Sequence, residues 1–155
     1  MKRAMFPGRQ MPRVAAVLAG MLVALSPPAR SQTSDTVGAA VTAAQVAARS
    51  WLTLVDRGTY GESWDSGAAF FRKAVTKPAW EDAVRKARVP FGPFSRRQLL
   101  GASYRTVLPQ APPGEYVVLE YRTAAGGGKT VIETVTPMKD EDGHWRVAGY
   151  FVRVE

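Results

Sequence analysis

Between residues 37 and 64, apolar side chains recur at Val41, Ala44, Ala48, Trp51 and Val55, with Leu52 beside the stripe. Steps of three and four put them on one face of an α-helix, and Thr42, Arg49, Thr53 and Arg57 on the other. Gly58 predicts the stop, because glycine turns easily into left-handed backbone. The pattern predicts a first helix of about 20 residues, roughly 30 Å long. A helical turn over residues 60–64 and a short helix over 66–74, carrying Phe70 and Phe71, come next. Thr76 stands as an N-cap, with Pro78 tolerated in the first turn behind it. Glu81 and Asp82 are expected toward the N-terminus of that helix, and Arg85, Lys86 and Arg88 toward its C-terminus, as the helix dipole favours. Pro90 ends it, and residues 91–94 read as a turn.

Downstream of Arg96 the period becomes two. Gln98, Leu100, Ala102, Tyr104, Thr106 and Leu108 are expected on one face of a first strand, which Pro109 and a turn at residues 111–114 close. Residues 116–123 form a second strand with Val117, Leu119 and Tyr121 on one side. Gly126–Gly128 is the hairpin loop. A third strand over residues 130–138 sets Val131, Glu133 and Val135 on one face and Ile132 on the other. After the turn at 140–143, a last strand over residues 144–154 groups Trp145, Val147 and Phe151. Helices followed by an antiparallel meander predict an α+β domain. Its four-stranded curved sheet has one apolar face, and the long first helix is the cover for it.

The N-terminal 31 residues have a different texture. Lys2, Arg3, Arg9 and Arg13 precede an apolar run of 12 over residues 14–25, which Pro27 and Pro28 break, and Ala29 and Ser31 are small. This is the pattern of a cleavable export signal, and the run is too short for a membrane span of roughly 20 residues. The expected organisation is a signal peptide over residues 1–31, a flexible polar leader over 32–36 and one domain over 37–155. The domain is expected to be periplasmic or secreted, with no membrane span after signal removal. The charge argument shifts accordingly. The chain carries +8, with 21 basic and 13 acidic residues. Residues 1–31 hold five of the basic residues and no acid, leaving 16 against 13, a net of +3. Nucleic acid is therefore not an expected partner. There is no cysteine, which excludes disulfides, thiolate metal sites and a cysteine nucleophile.

Few motifs carry chemistry. Gly126-Gly-Gly-Lys-Thr130 lacks the first glycine of a phosphate-binding loop, since residue 123 is threonine, and it joins two strands. His144 is the single histidine and comes directly after a turn glycine, so a histidine-based triad or metal site has little to build on. Asp140, Glu141 and Asp142 lack the spacing of a calcium loop and read as an acidic turn. No cofactor and no metal is expected. Arg85, Lys86, Arg88, Arg96, Arg97 and Arg105 form a stretch without acids, which serves a helix C-terminus and solvent or, alternatively, meets an anionic envelope partner. Aromatic residues are numerous, and a helix over a curved sheet can leave a pocket among them. A carboxylate there, Asp56 or Glu133, would have a raised pKa.

Taken in order, Trp51-Leu-x-Leu-Val-Asp-x-Gly-x-Tyr60, Ser63-Trp64, Trp80, Arg88-x-Pro-x-Gly92 with Arg96 or Arg97, and Glu133 ahead of Trp145-x-Val-x-Gly-Tyr150 form a set. Over residues 43–152 it resembles the exported bacterial family catalogued as domain of unknown function 4019. That family carries no established activity, so the resemblance implies no catalytic residues. The element order is also similar to the cone-shaped nuclear-transport-factor-2-like and cystatin-like folds, which host enzymes and binding modules alike. Asp56, Tyr60, Trp64, Arg88, Glu133 and Tyr150 are the candidate pocket or partner site. Two readings stand. One is a non-enzymatic module that binds a small ligand, a peptide or an envelope component. The other is an acid–base enzyme of the hydratase or isomerase type, with Asp56 or Glu133 as base and Tyr60 or Arg88 assisting.

Overall fold

The structure, a computed structural model, describes residues 29–155. The export signal read over residues 1–31 lies, up to residue 28, outside the described residues. Helix α1 spans Ala29–Asp56. It starts ahead of the expected Val37 and takes in the stretch read as a polar leader. No proline interrupts that stretch, so nothing in the backbone chemistry stops the helix from running back through it. From residue 33 on, the first buried position is Ala40, and Ala44, Ala48, Trp51, Leu52 and Val55 continue the stripe at helical spacing.

Gly58 ends α1 as expected, at φ +75°. The Gly58 amide donates to the Val55 carbonyl and the Thr59 amide to the Leu54 carbonyl, each at 3.1 Å. This double closure satisfies carbonyls that the helix end leaves open and turns the chain sharply. Three shorter helices come next: α2 (Tyr60–Asp65), α3 (Ala69–Ala74) and α4 (Lys77–Arg88). Thr76 precedes α4 without a side-chain cap, and Glu81 and Asp82 lie beyond the first turn rather than in it. The basic last turn of α4 is as expected, and a single 3-10 turn over Val89–Phe91 ends it.

Four strands complete the domain: β1 (Ser95–Arg105), β2 (Tyr116–Ala124), β3 (Thr130–Lys139) and β4 (Trp145–Val154). They pair antiparallel in the order β1-β2-β3-β4, an open meander. Helices followed by this sheet make the domain α+β. The inner face carries Val117, Leu119 and Tyr121 from β2 and Val135 from β3, and it packs against α1. Ile132 faces the other way, in register between Arg122 and Arg153, and is still buried.

Three irregularities break the simple alternation. On β1 the register slips between Ser95 and Arg97 and again between Leu99 and Gly101. Each slip is an extra residue that reverses the facing of the residues downstream of it. Arg97, Leu99, Ala102 and Tyr104 therefore oppose the inner residues Thr123, Tyr121, Leu119 and Val117. Gln98 and Leu100 do not share the face of Ala102 and Tyr104, as expected from strict alternation. The strand also stops at Arg105, so Thr106 and Leu108 are not part of it. On β4, Thr136 opposes Gly149 whereas Pro137 opposes Val147, which makes Ala148 the extra residue. Trp145 and Val147 stay together, but Phe151 turns outward, 71% exposed, and Tyr150 takes the inner position.

Candidate functional site

The end of α1, the end of α4 and the inner face of the sheet meet around four charges. Asp56 is the last residue of α1, where a carboxylate opposes the helix dipole and gains from nearby cations. Arg88, the last residue of α4, is 6% exposed, and Glu133, in the middle of β3, is fully buried. Arg97 enters from β1 because the slip at Arg96, which sits at φ +42°, points it inward.

Arg88 donates from Nη2 to Asp56 Oδ1 at 2.6 Å and from Nη1 to Glu133 Oε1 at 3.2 Å. A second bond from Nη1 reaches the Tyr150 hydroxyl at 2.8 Å, and that hydroxyl donates onward to Glu133 Oε1 at 2.6 Å. Arg97 spans both acids. Its Nε meets Glu133 Oε2 at 2.5 Å, while Nη1 and Nη2 meet the two Asp56 oxygens at 2.6 and 2.7 Å. Thr123 completes the set by donating to Glu133 Oε2 at 2.6 Å. The centroid of the Phe94 ring lies 4.0 Å from the Arg88 guanidinium carbon.

Two guanidinium groups against two carboxylates cancel. Buried charges need this pairing, because each would otherwise carry a desolvation cost of several kcal/mol, about the scale known for single buried ions. Among the described residues no buried side-chain nitrogen or oxygen lacks a hydrogen-bond partner. Burial works to raise the Asp56 carboxyl, but the hydrogen bonds and charges of Arg97, and then of Arg88, outweigh it and hold the group below its ordinary 3.8. This is opposite to the raised value expected for a carboxylate lying in the pocket. Burial pushes the Tyr150 hydroxyl well above its ordinary 10.0, and the Glu133 charge adds to that, so it stays protonated and donates. Burial works against the Arg97 charge, yet Asp56 and Glu133 more than compensate.

Of the six residues singled out, Asp56, Arg88, Glu133 and Tyr150 converge directly. Tyr60 does not join the network. It lines a neighbouring cleft of about 370 Å3 with Arg88, Pro93 and Phe94, and Arg85 sits 5.9 Å from its ring. Trp64 points elsewhere, donating to the Val75 carbonyl at 2.8 Å, and ties α2 to the segment before α4. Two members were not singled out. The sequence pattern offers Arg97 only as an alternative to Arg96, and Thr123 carries no signal in the sequence beyond its place on a strand.

The other features resolve locally. Arg146 pairs with Asp140 at 3.0 Å and with Asp142 at 2.8 Å, so the acidic turn is tied to its own strand. Lys86 pairs with Asp82, and Arg88 and Arg97 enter the cluster, so three of the six residues of the basic stretch are paired with acids. Among the described residues no group of three or more His, Cys, Asp or Glu side chains is arranged to hold a metal ion. No helix among them is long and apolar enough to cross a membrane.

On one side of the cluster lies an open cleft of about 420 Å3 between α1 and the β1–β2 pair. Asp56 and Arg97 close one end of it, and Leu52, Leu99 and Tyr121 supply its apolar surface. Leu99 is 40% exposed on this face.

Fold and site together define an α+β domain in which a buried four-charge cluster fastens one long helix to a four-stranded meander. The chain belongs to the family described as "Protein of unknown function (DUF4019)", which matches it over residues 47–150. That span includes every member of the cluster. No curated protein and no solved structure matches the chain, so the fold carries the α+β description and no fold-family name.

Proposed function

We propose that this chain is an exported, non-enzymatic binding domain. The charge cluster holds the helix–sheet geometry, and the cleft beside it receives a small ligand, a peptide or an envelope component. The observation that carries this reading is the contrast between a closed cluster and an open cleft. Each carboxylate of the cluster accepts from both arginines. An acid–base catalyst needs a carboxylate free to take a proton at working pH, with a pKa near that pH. Asp56 moves the other way, and Glu133 is sealed among four donors. The cleft, by contrast, has the size of small-molecule sites, roughly 300–1,000 Å3, with apolar surface at Leu52, Leu99 and Tyr121 and polar groups at Gln45, Arg49, Thr53, Asp56 and Arg97. Export, to the periplasm or outside the cell, rests on the basic and apolar texture of residues 1–31.

Two measurements test this. Two-dimensional amide NMR of the purified chain, titrated with a mixed set of small molecules and short peptides, is expected to show shifts concentrated on Leu52, Leu99 and Tyr121 with every titrant recovered unchanged. Resonances of the cleft that ignore the whole set, or conversion of a titrant to product, would remove the binding reading. A reporter fused behind residues 1–36 is expected outside the cytoplasm, and its retention inside would remove the export part.

A further inference from the structure

Arg49 differs from the other arginines near the cleft. Arg88 and Arg97 are cancelled by Asp56 and Glu133. Arg49 lines the cleft and is exposed, and its guanidinium has no hydrogen-bond or ion-pair partner among the described residues. The uncompensated charge of this cleft is therefore a single positive one. Arg49 lies one turn before Thr53 and one turn after Gln45, and these three form a polar rim along α1. Across from them, Leu99 and Tyr121 are register partners on β1 and β2 and form the apolar wall. The rim and wall are close enough to interact: burial raises the Tyr121 hydroxyl, and the charges of Arg49 and Arg97 act against that rise.

We infer that the cleft takes a carboxylate carried on an apolar body. Arg49 is the group that receives the carboxylate, with the Gln45 amide beside it, while the Thr53 hydroxyl is spent on the Arg49 carbonyl at 3.0 Å. The body lies against Leu99 and the Tyr121 ring. This inference rests on the binding reading above and names the ligand class for it. Charge decides the class. A cationic ligand would face Arg49 unpaired, while Asp56 cannot offer a free anion because Arg97 and Arg88 already hold it. Guanidinium groups bind carboxylates with two parallel hydrogen bonds, stronger than neutral pairs. The apolar wall decides the body: a fully hydrated anion would leave 40%-exposed Leu99 against water, while Tyr121 behind it is only 7% exposed. A free aliphatic acid and the C-terminus of a peptide ending in an apolar residue share this chemistry.

The test uses calorimetric titration of the purified chain with two matched pairs of probes. One pair is octanoate and 1-octanol. The other is acetyl-Ala-Leu-Leu with a free C-terminus and the same peptide amidated. The acid of at least one pair is expected to bind about tenfold or more tightly than its neutral partner, the scale of one charged hydrogen-bonded contact. Which acid binds identifies the source. Arg49→Gln is expected to bring the acid down to the level of the neutral probe and leave the neutral probe and the melting temperature unchanged. Leu99→Ser is expected to weaken both members of the pair. If the neutral probes bind as tightly as the acids, or if Arg49→Gln changes nothing, the anion inference falls while the binding reading stands. If none of the four probes binds, the inference also falls, and the mixed-set NMR titration then decides the binding reading separately.

Discussion

Arg97 meets Asp56 fork to fork, Nη1 to Oδ2 at 2.6 Å and Nη2 to Oδ1 at 2.7 Å. The pair joins the last residue of α1 to the first strand of the sheet, across 41 positions of chain. Its position is half-buried, with the Arg97 side chain 18% and the Asp56 side chain 30% exposed. Because Arg97 also holds Glu133, the pair is the outer edge of a network whose centre is dry. It also forms the end wall of the cleft, so the same contact serves stability and shapes the binding surface.

Glu133→Gln keeps the shape of the central acid and removes its charge. Arg88 and Arg97 would then share Asp56 alone, with Arg88 still buried. Stranding a buried charge costs about 3–5 kcal/mol. A urea melt is expected to show that loss in unfolding free energy, as a lower midpoint with an unchanged slope.

Asp56 predicts an acid limb. A carboxyl whose folded-state pKa is depressed contributes stability that is present above its unfolded value, near 3.8, and is lost as pH falls through the lower folded value. Thermal melts between pH 2 and 7 are expected to be flat down to about pH 4 and to fall below it. Asp56→Asn should lower the plateau and flatten part of the fall. Some slope will persist in that variant, because hydrogen bonds from Arg146 also hold the Asp142 carboxyl low.

Gly126 tests the loop that carries Phe94. A methyl group added there would sit 2.9 Å from the Phe91 carbonyl oxygen and 3.2 Å from the Gly92 Cα. The β2–β3 hairpin and the α4–β1 loop touch backbone to backbone, and Phe94 stacks on Arg88 just beyond. Gly126→Ala is expected to cost about 1–3 kcal/mol, as overpacking does. Gly101→Ala, where the added methyl meets nothing within 4 Å, is the control and should be near neutral.

Ser63 is fully buried between the tryptophans. Its hydroxyl accepts from Trp80 Nε1 at 3.0 Å and donates to the Tyr60 carbonyl at 2.7 Å, while its own carbonyl accepts from Trp51 Nε1 at 2.8 Å. Ser63→Ala leaves the Trp80 N–H without its acceptor, at a cost of about 1–3 kcal/mol. The melting temperature should fall and the tryptophan emission should shift, whereas Ser66→Ala, at an exposed position and losing only a 3.2 Å bond to the Ser63 carbonyl, should have a smaller effect on both.

The elements themselves were legible. The α1 stripe, the Gly58 stop, the basic last turn of α4 and the four strands arise from period, breakers and dipole, which are properties of a few neighbouring residues. Phe151 and Gln98 show where that reading ends. Both sit in alternating runs, and both face the wrong way for the run because the strand slips by one residue within it, at Leu100 after Gln98 and at Ala148 before Phe151. The slip is set by the partner strand, by the packing of α1 and by the charges to be paired, none of which lies nearby in sequence.

The same division holds for the site. Their places in the family's motif set marked Asp56, Arg88, Glu133 and Tyr150, residue type adding only that Asp56 or Glu133 would be a carboxylate among aromatics, and the end of α1 stood out as the place where they would matter. Their convergence, the choice of Arg97 over Arg96, and the place of Thr123 were decided only in the folded chain. A one-residue bulge reverses the facing of a side chain without altering composition or average period. Local patterning therefore determined which segments are helices and strands, and tertiary packing decided which charges became partners and which one, Arg49, was left facing the cleft.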